Sequence, residues 1–404
     1  MKVYIQFYRA IDKAICDGLL TEPFNSKDVE NVCLGFSRSV YKTYLSKFSQ
    51  GNSINAIELF QRVDRGTYRR LPFYVKRDYY IDLLEPLFLP DDPISNDIIK
   101  YFSSLLRLIG MEDKGWDPYS ESRFTINDLN GLFKLDLPRR LFPKPQDTHW
   151  RLGLLMYSHI VEMDAPYEVI LNLLRFKIGE GYNPNPFYKF LSEREQKTFK
   201  KRGLSTGRKI EIINVLSKLA QLNIAPIFED FYDNNLRNSI SHSDYILIDN
   251  GFRCRGGISG DRGFTKSFEE LDEIILSAKA FIAAFFSIEH TARKIWGQRA
   301  GKAFPYDLTY KGLMEVLADE DGLMCGFKVH WPNETSSTYR RTKDGVEMKN
   351  CMLSSQQENI DLMVGMFVSK PSAFSPLVKY GALPVYTKRE GNQAPLQWPG
   401  DGTV

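Results

Sequence analysis

Histidine and cysteine are both scarce, with five of each in 404 residues. The histidines are His149, His159, His242, His290 and His330. A transition-metal site needs several ligands at set spacings. Only His159 and Glu162, three apart, can share a helix face, and nothing nearby completes a ligand set. There is no HExxH, no GxSxG and no Walker A loop. Gly297 to Lys302 approaches a phosphate loop but is one residue short and runs into Ala303; Gly256 to Gly260 lacks both a lysine and a following helix. Both read as turns. The cysteines (Cys16, Cys33, Cys254, Cys325 and Cys351) are odd in number, scattered, and without a CxxC pair. That pattern fits reduced thiols in a cytoplasm. Cys16 and Cys33, set among apolar neighbours, read as core fillers. Long apolar runs are missing too. The longest, Phe281 to Ile288, is under half of the ~20 residues that a spanning helix needs. Arg9, Asp12 and Lys13 interrupt the place of a secretory apolar stretch. The acceptor pattern Asn333-Glu334-Thr335 is therefore expected to be inert, and no membrane association is expected.

Charge of one sign is also lacking. Lys and Arg number 53 against 50 Asp and Glu, a net +3. Nucleic-acid binding over the whole surface is thereby excluded, and any such binding must come from a local patch. What is abundant is ordinary globular material: 43% hydrophobic residues, 25% charged, and 13% aromatic. The length suits two or three domains, each able to bury its own core.

The expected organisation is mainly α and multi-domain. Residues 1–80 read as a small helical unit ending in a hairpin. Asn25 or Ser26 can cap one helix, with Asp28 in its first turn, and Ser37 can cap the next. Val40, Tyr41, Tyr44, Leu45 and Phe48 form an apolar stripe on that second helix. Leu59–Val63 and Thr67–Leu71 read as strands around the turn Asp64-Arg65-Gly66. Residues 81–146 form a helical connector, with a helix expected from Ser95 to Leu108. Residues 147–301 are strongly helical: Asp147 or Thr148 caps the first helix, and Pro166 opens the second. One or two helices run from Ser205 to about His242, and a short hairpin follows Asp249-Asn250-Gly251. Ser267 and Glu270 form a capping box before a long apolar-faced helix. Residues 302–404 form a small α+β region. Its expected helix is Tyr310–Ala318, its strands are Gly326–His330 and Ser337–Arg341, and it ends in a loose tail.

One segment, Phe231 to Tyr245, stands apart. Read as a helix, it puts Tyr232, Leu236 and Ile240 on one stripe and Asn234, Asn238 and His242 on roughly the opposite face. A solvated face would normally carry Lys and Glu. Arg237 lies about 140° round from His242, so the two must meet by a long reach or across two copies. None of the other histidines has an Arg five residues before it. Arg237-Asn238 followed by His242 resembles the R-[polar]-x3-H signature of the HEPN superfamily, found in prokaryotic toxin, CRISPR and abortive-infection ribonucleases. The resemblance covers about residues 147–300 and extends to the hairpin and long capped helix that follow. In one respect the chain departs from some HEPN toxins, which carry a Tyr two residues after the His. Here Ser243 and Asp244 come before Tyr245, so Tyr245 is given no family role.

The resemblance implies metal-independent, cofactor-free RNA cleavage by 2′-OH attack. His242 would move protons near neutral pH. Arg237 would hold the phosphate, and Asn238 would orient the imidazole or bond the phosphate. It also implies a homodimer through the bundle, which supplies two of each group, and a role in toxin action or anti-phage defence. The amino-terminal unit resembles a winged helix-turn-helix, with Arg38 and Lys42 on a recognition helix from Ser37 to Ser49 and Arg65, Arg69 and Arg70 on or near the wing. Its 13 Lys and Arg against eight Asp and Glu suit phosphate contacts. Three readings stay open: a HEPN-type endoribonuclease, a DNA-binding regulator whose HEPN-like bundle only dimerises, and a non-catalytic interaction protein.

Overall fold

The structure is a computed structural model. It describes residues 3–50, 59–89, 105, 118–180, 183, 185–255, 263–301, 303–307, 312–330, 336–342, 345–349, 351–356, 359–364 and 385–387. The expected helix at 95–108, the Gly256–Gly260 turn, the Asn333–Thr335 acceptor and the carboxy-terminal tail lie outside these residues, as do the side chains of Cys16 and Cys351. The chain divides into two compact units, Met1–Tyr79 and Tyr80–Val404.

The first unit runs α1 (Val3–Cys16), β1 (Phe24–Asn25), α2 (Ser26–Val32), α3 (Arg38–Lys47), β2 (Phe60–Asp64) and β3 (Thr67–Arg70). Asn25 caps α2 in a full capping box with Asp28. Ser37 sits at the cap position of α3 without making the cap bond; its hydroxyl pairs with that of Ser39 instead. Strands β2 and β3 form an antiparallel hairpin around Gly66, whose φ of +80° is the left-handed region that glycine enters without a Cβ clash. Strand β1 adds to β3, so the sheet order is β1-β3-β2. Phe7 and Ile11 of α1, Val29 of α2, Tyr41 and Leu45 of α3, and Phe60 and Tyr68 of the hairpin share one buried cluster. Helix α1 is amphipathic, with Phe7, Tyr8, Ile11 and Ala14 buried on one face and Gln6, Arg9 and Lys13 on the other.

Helix α4 (Pro72–Phe88) crosses the division, and the second unit continues with α5 (Pro118–Leu132), α6 (Pro145–Glu162), α7 (Asp164–Lys177), α8 (Glu193–Arg202), α9 (Thr206–Leu219), α10 (Ala225–Phe231) and α11 (Asn234–Ser241). A three-stranded antiparallel sheet follows, formed by β4 (Tyr245–Ile248), β5 (Gly251–Cys254) and β6 (Thr265–Ser267). It leads into α12 (Phe268–Gly297). Ser267 and Glu270 make the expected capping box at the start of α12. Ten of the eleven residues of α7 from Ala165 to Arg175 are buried, Glu168 being the exception, which marks α7 as a central helix. An aromatic cluster holds the bundle. Phe281 of α12 stacks on Phe231 at 5.0 Å between ring centroids and meets Phe228 edge-on at 5.7 Å, while Phe285 meets Phe88 at 5.7 Å.

The Ser205–His242 stretch holds three helices instead of one or two. The first break follows α9, where Gln221 takes φ +57° and Leu222 N–H bonds back to the Ser217 carbonyl. Left-handed closures usually use glycine, so a glutamine there gave no sequence signal.

Beyond α12 the described residues form strands and the turns between them. β7 (Ala303–Asp307), β8 (Gly312–Ala318), β9 (Met324–His330), β10 (Ser336–Thr342), β11 (Gly345–Lys349) and β14 (Val385–Thr387) make a sheet of order β14-β11-β10-β9-β8-β7. β12 (Cys351–Gln356) and β13 (Asn359–Val364) pair separately. The expected helix Tyr310–Ala318 is therefore corrected to a strand, at least over its described part. Leu313, Met314, Val316 and Leu317 fit a helical spacing, but Met314 and Val316 are the buried pair, two apart as in a strand. Short apolar runs do not separate the two periods, and here β9 supplies a partner to pair with.

Coarsely, the molecule is mainly helical with a smaller strand-rich part. Since Phe281 touches three other rings of the core, Phe281→Ala is expected to cost about 3–5 kcal/mol, the usual price of an aromatic-sized cavity. Urea unfolding followed by circular dichroism measures it, and a loss under 1 kcal/mol would show that the cluster is not the core.

Candidate functional site

Helix α11 has only eight residues, too few to be stable alone in water, so its surroundings hold it. Asp233 caps it, accepting the Leu236 N–H at 2.9 Å. The other Asp233 oxygen pairs with Lys266 at 2.8 Å. Tyr157 of α6 grips the entry loop: its hydroxyl donates to the Phe231 carbonyl at 3.1 Å and accepts the Asp233 N–H at 3.2 Å. Leu236 and Ile240 are buried, and the Ser239 hydroxyl lies 2.8 Å from the Asn235 carbonyl and 2.9 Å from Cys254 Sγ on β5.

The helix stops at His242. Ser243 N–H bonds to the Ile240 carbonyl at 3.1 Å and Asp244 N–H to the Ser239 carbonyl at 2.9 Å, with Ser243 at φ +54°. This is a Schellman closure with serine where glycine is usual. The segment is thus shorter than the continuous helix Phe231–Tyr245 read from spacing. Tyr232 precedes α11 as the cap of α10, its hydroxyl 3.2 Å from Asn234 Oδ1, and His242 is the C-cap.

The structure joins the Arg237 and Asn238 side chains, while neither makes a hydrogen bond to the His242 ring among the described residues. Arg237 Nε bonds the carboxylate of Glu162, the last residue of α6, and Nη1 donates to Asn238 Oδ1 at 2.8 Å. Its side chain is 24% exposed. The hydrogen bond that Arg237 donates to Glu162 raises the guanidinium above its ordinary pKa. Among the described residues Nη2 makes no hydrogen bond, which leaves one edge for a ligand. Asn238 Oδ1 thus serves Arg237. His242 is exposed, and its ring has no hydrogen-bond partner among the described residues. Within one chain the guanidinium turns to α6 and does not reach round to the ring.

Glu162 and Tyr157 were not recognised as parts of the site, because 75 residues separate Glu162 from Arg237 and no local pattern links them. The pairing of His159 with Glu162 is not built, since Glu162 turns to Arg237. Among the described residues no group of three potential ligands could hold a metal. Cys33 and Cys325 are buried, and burial raises both thiols, Cys325 to about 11, which makes neither a nucleophile at neutral pH. No helix among the described residues is long and apolar enough to cross a membrane.

In the amino-terminal unit Arg38 and Lys42 are exposed on α3, Arg65 is exposed on the hairpin turn, and Arg69 is exposed on β3, with its Nε on Gln61 at 2.7 Å. Arg70 is different. Its side chain is 10% exposed and ion-paired with Asp12 and Glu22, whose carboxylate also accepts the Arg70 N–H at 2.6 Å. It ties β3 to α1, so as a phosphate contact it is corrected to a structural residue.

Two cavities lie near the ends of α11, one of about 890 Å³ beside Tyr232 and Asn234, and one of about 610 Å³ beginning at Ser243. Neither is lined by Arg237 or His242. Comparison with family models, curated proteins and solved structures returned no match.

Burial alone would raise the Asp233 carboxyl, but the Lys266 ammonium and the Leu236 N–H outweigh it and hold the group below the usual carboxylate range. A depressed folded pKa contributes stability that is present above the unfolded value, about 3.9, and is lost as pH falls through the folded value. Asp233→Ala is expected to cost about 1 kcal/mol at pH 7. The melting temperatures of parent and variant should converge between pH 5 and pH 2. A gap that stays constant over that range would show that the carboxylate charge plays no part.

Proposed function

We propose that the second unit is a metal-independent endoribonuclease of the HEPN type that acts as a homodimer, with Arg237 and His242 as its reactive groups. The observation that carries the reading is an exposed imidazole with no hydrogen-bond partner among the described residues, closing a short helix whose oriented guanidinium keeps one edge open among those residues. The ribose O2′ attacks the adjacent phosphorus, the O2′–P bond forms and the P–O5′ bond breaks. The products are a 2′,3′-cyclic phosphate and a 5′-hydroxyl. One imidazole accepts the 2′-OH proton, and a second supplies a proton to O5′. Arg237 offsets the charge gathering on the phosphoryl oxygens. Each chain offers one His242, and its Arg237 is bonded to Glu162 and Asn238. Two copies set face to face would supply both rings and both guanidinium edges. Glu162 orients Arg237 but also neutralises part of its charge, so phosphate binding would rely on further cations. A role in toxin action or anti-phage defence goes with this reading.

A second reading concerns the amino-terminal unit. Its order α1-β1-α2-α3-β2-β3, with Arg38, Lys42, Arg65 and Arg69 exposed, favours a winged helix-turn-helix-like module that contacts duplex nucleic acid.

Mixed RNA incubated with the purified chain and a chelator is expected to be cut, with His242→Ala and Arg237→Ala each slowing cleavage 100-fold or more. No cleavage by the parent chain, or equal cleavage by His242→Ala, rejects the nuclease. For the first unit, Arg38→Ala/Lys42→Ala is expected to weaken duplex binding and lower the salt slope by about 1.8, at ~0.9 per phosphate lost. Arg70→Ala should instead destabilise the unit by about 1.5–3 kcal/mol. Unchanged duplex binding by the double variant removes this reading.

A further inference from the structure

The cavity of about 890 Å³ falls within the range usual for small-ligand sites, about 300–1,000 Å³. It is bounded by α8, by the first turns of α9 and by the loop that enters α11. Arg237 does not line it, but Asn234 does. Residues three apart on a helix are surface neighbours, so the cavity ends one turn short of Arg237. A second observation agrees. The charges of Arg237 and Glu162 both act on the Tyr232 hydroxyl, and Tyr232 lines the same cavity. Two arginines, Arg194 and Arg208, face two glutamates, Glu195 and Glu211, in the lining. Without net charge, the cavity does not suit a run of phosphates. Leu204 and Ile210 add apolar surface. The lining therefore suits a neutral, partly apolar group that makes directed hydrogen bonds.

Two polar groups of the lining are fixed in orientation. The Gly207 N–H donates to the Tyr232 hydroxyl, and glycine permits the approach, since a Cβ at 207 would lie 2.7 Å from that oxygen. The hydroxyl donates its own proton to Asn234 Oδ1 at 3.2 Å. This assigns the amide: Asn234 Nδ2 is a donor, with no hydrogen bond among the described residues. Arg208 Nη1 donates to Glu211 Oε2 at 2.9 Å, and Arg208 Nε is itself held by Glu195 at 3.0 Å. Glu211 Oε1 accepts no hydrogen bond among the described residues. The cavity thus offers one amide donor and one oriented carboxylate. Of the four RNA bases only guanine carries an acceptor, O6, beside two adjacent donors, N1–H and N2–H. The other three would set a ring acceptor against the carboxylate, leaving buried groups unpaired, which is costly. We propose that this cavity reads a guanine next to the scissile phosphate, with Glu211 accepting from N1–H and N2–H and Asn234 Nδ2 donating to O6. The proposal rests on the nuclease reading for its substrate and adds a base preference to it.

The test uses the full chain and two readouts. Guanosine and cytidine 3′-monophosphates are titrated into it by calorimetry, and cut positions are mapped on RNA of mixed sequence. The guanosine nucleotide is expected to bind about tenfold or more tightly than the cytidine nucleotide, and cuts should fall beside guanines. Glu211→Gln turns one acceptor oxygen into a donor and should remove most of that difference. Inosine 3′-monophosphate lacks the 2-amino group, so it should bind the parent more weakly than guanosine and lose less on Glu211→Gln. Asn234→Asp sets a charge against O6 and should lower guanosine affinity by a similar factor. Both side chains are exposed, and the circular-dichroism spectrum checks that each variant keeps the fold. Equal or absent binding of the two nucleotides, affinities unchanged in both variants, or cuts without a guanine preference overturn the guanine site. If RNA is still cut, the nuclease reading survives that result. Guanosine binding that Glu211→Gln weakens, in a parent chain that never cuts RNA, supports the site and overturns the nuclease reading.

Discussion

The candidate site depends on the anchoring of one short helix. Eight residues cannot hold a helical conformation by their own hydrogen bonds, because nucleation costs more than so few bonds return. α11 therefore takes its position from its neighbours: the Tyr157 hydroxyl on the entry loop, Asp233 shared between a cap bond and Lys266, and two buried side chains beneath. Lys266 stands just before the long helix α12, so the start of α11 is tied to an element whose inner face runs through the bundle core. This arrangement keeps Arg237, Asn238 and His242 on the open side while Leu236 and Ile240 stay inside.

Electrostatics then divides the arginines into two kinds. Arg70, Arg175 and Arg293, each with a side chain 16% exposed or less, are bound by carboxylates and work as struts. Arg237 falls between, oriented by Glu162 yet open on one edge. Arg253 and Arg255 stand in solvent on the hairpin. A guanidinium held by a carboxylate is well placed but weakly attractive to an anion, whereas a free one attracts but does not position.

Legibility from sequence followed the range of the interactions. The capping boxes at Asn25 and Ser267 involve residues three apart and were readable. So were the hairpin around Gly66 and the long apolar helix that became α12. Failures came where local patterns were shared or non-local contacts decided. The stretch after Tyr310 satisfied a helical spacing, and only pairing with β9 made it a strand. Gln221 and Ser243 close helices in the left-handed region without the glycine that would mark the place. Arg70 looked like one more surface cation until Asp12 and Glu22 were brought to it from 58 and 48 residues away.

By itself the sequence determined which residue types could take part and which stretches were amphipathic, because side-chain chemistry and short-range periodicity are properties of neighbours along the chain. It put Arg237, Asn238 and His242 within six residues, with Leu236 and Ile240 behind them. Only the tertiary structure decided where the guanidinium points, since Glu162 lies 75 residues away and is delivered by the packing of α6. The same packing left His242 in solvent. Contacts between distant parts of a chain come from burying common apolar surface, and that burial leaves no local trace in the residues it brings together.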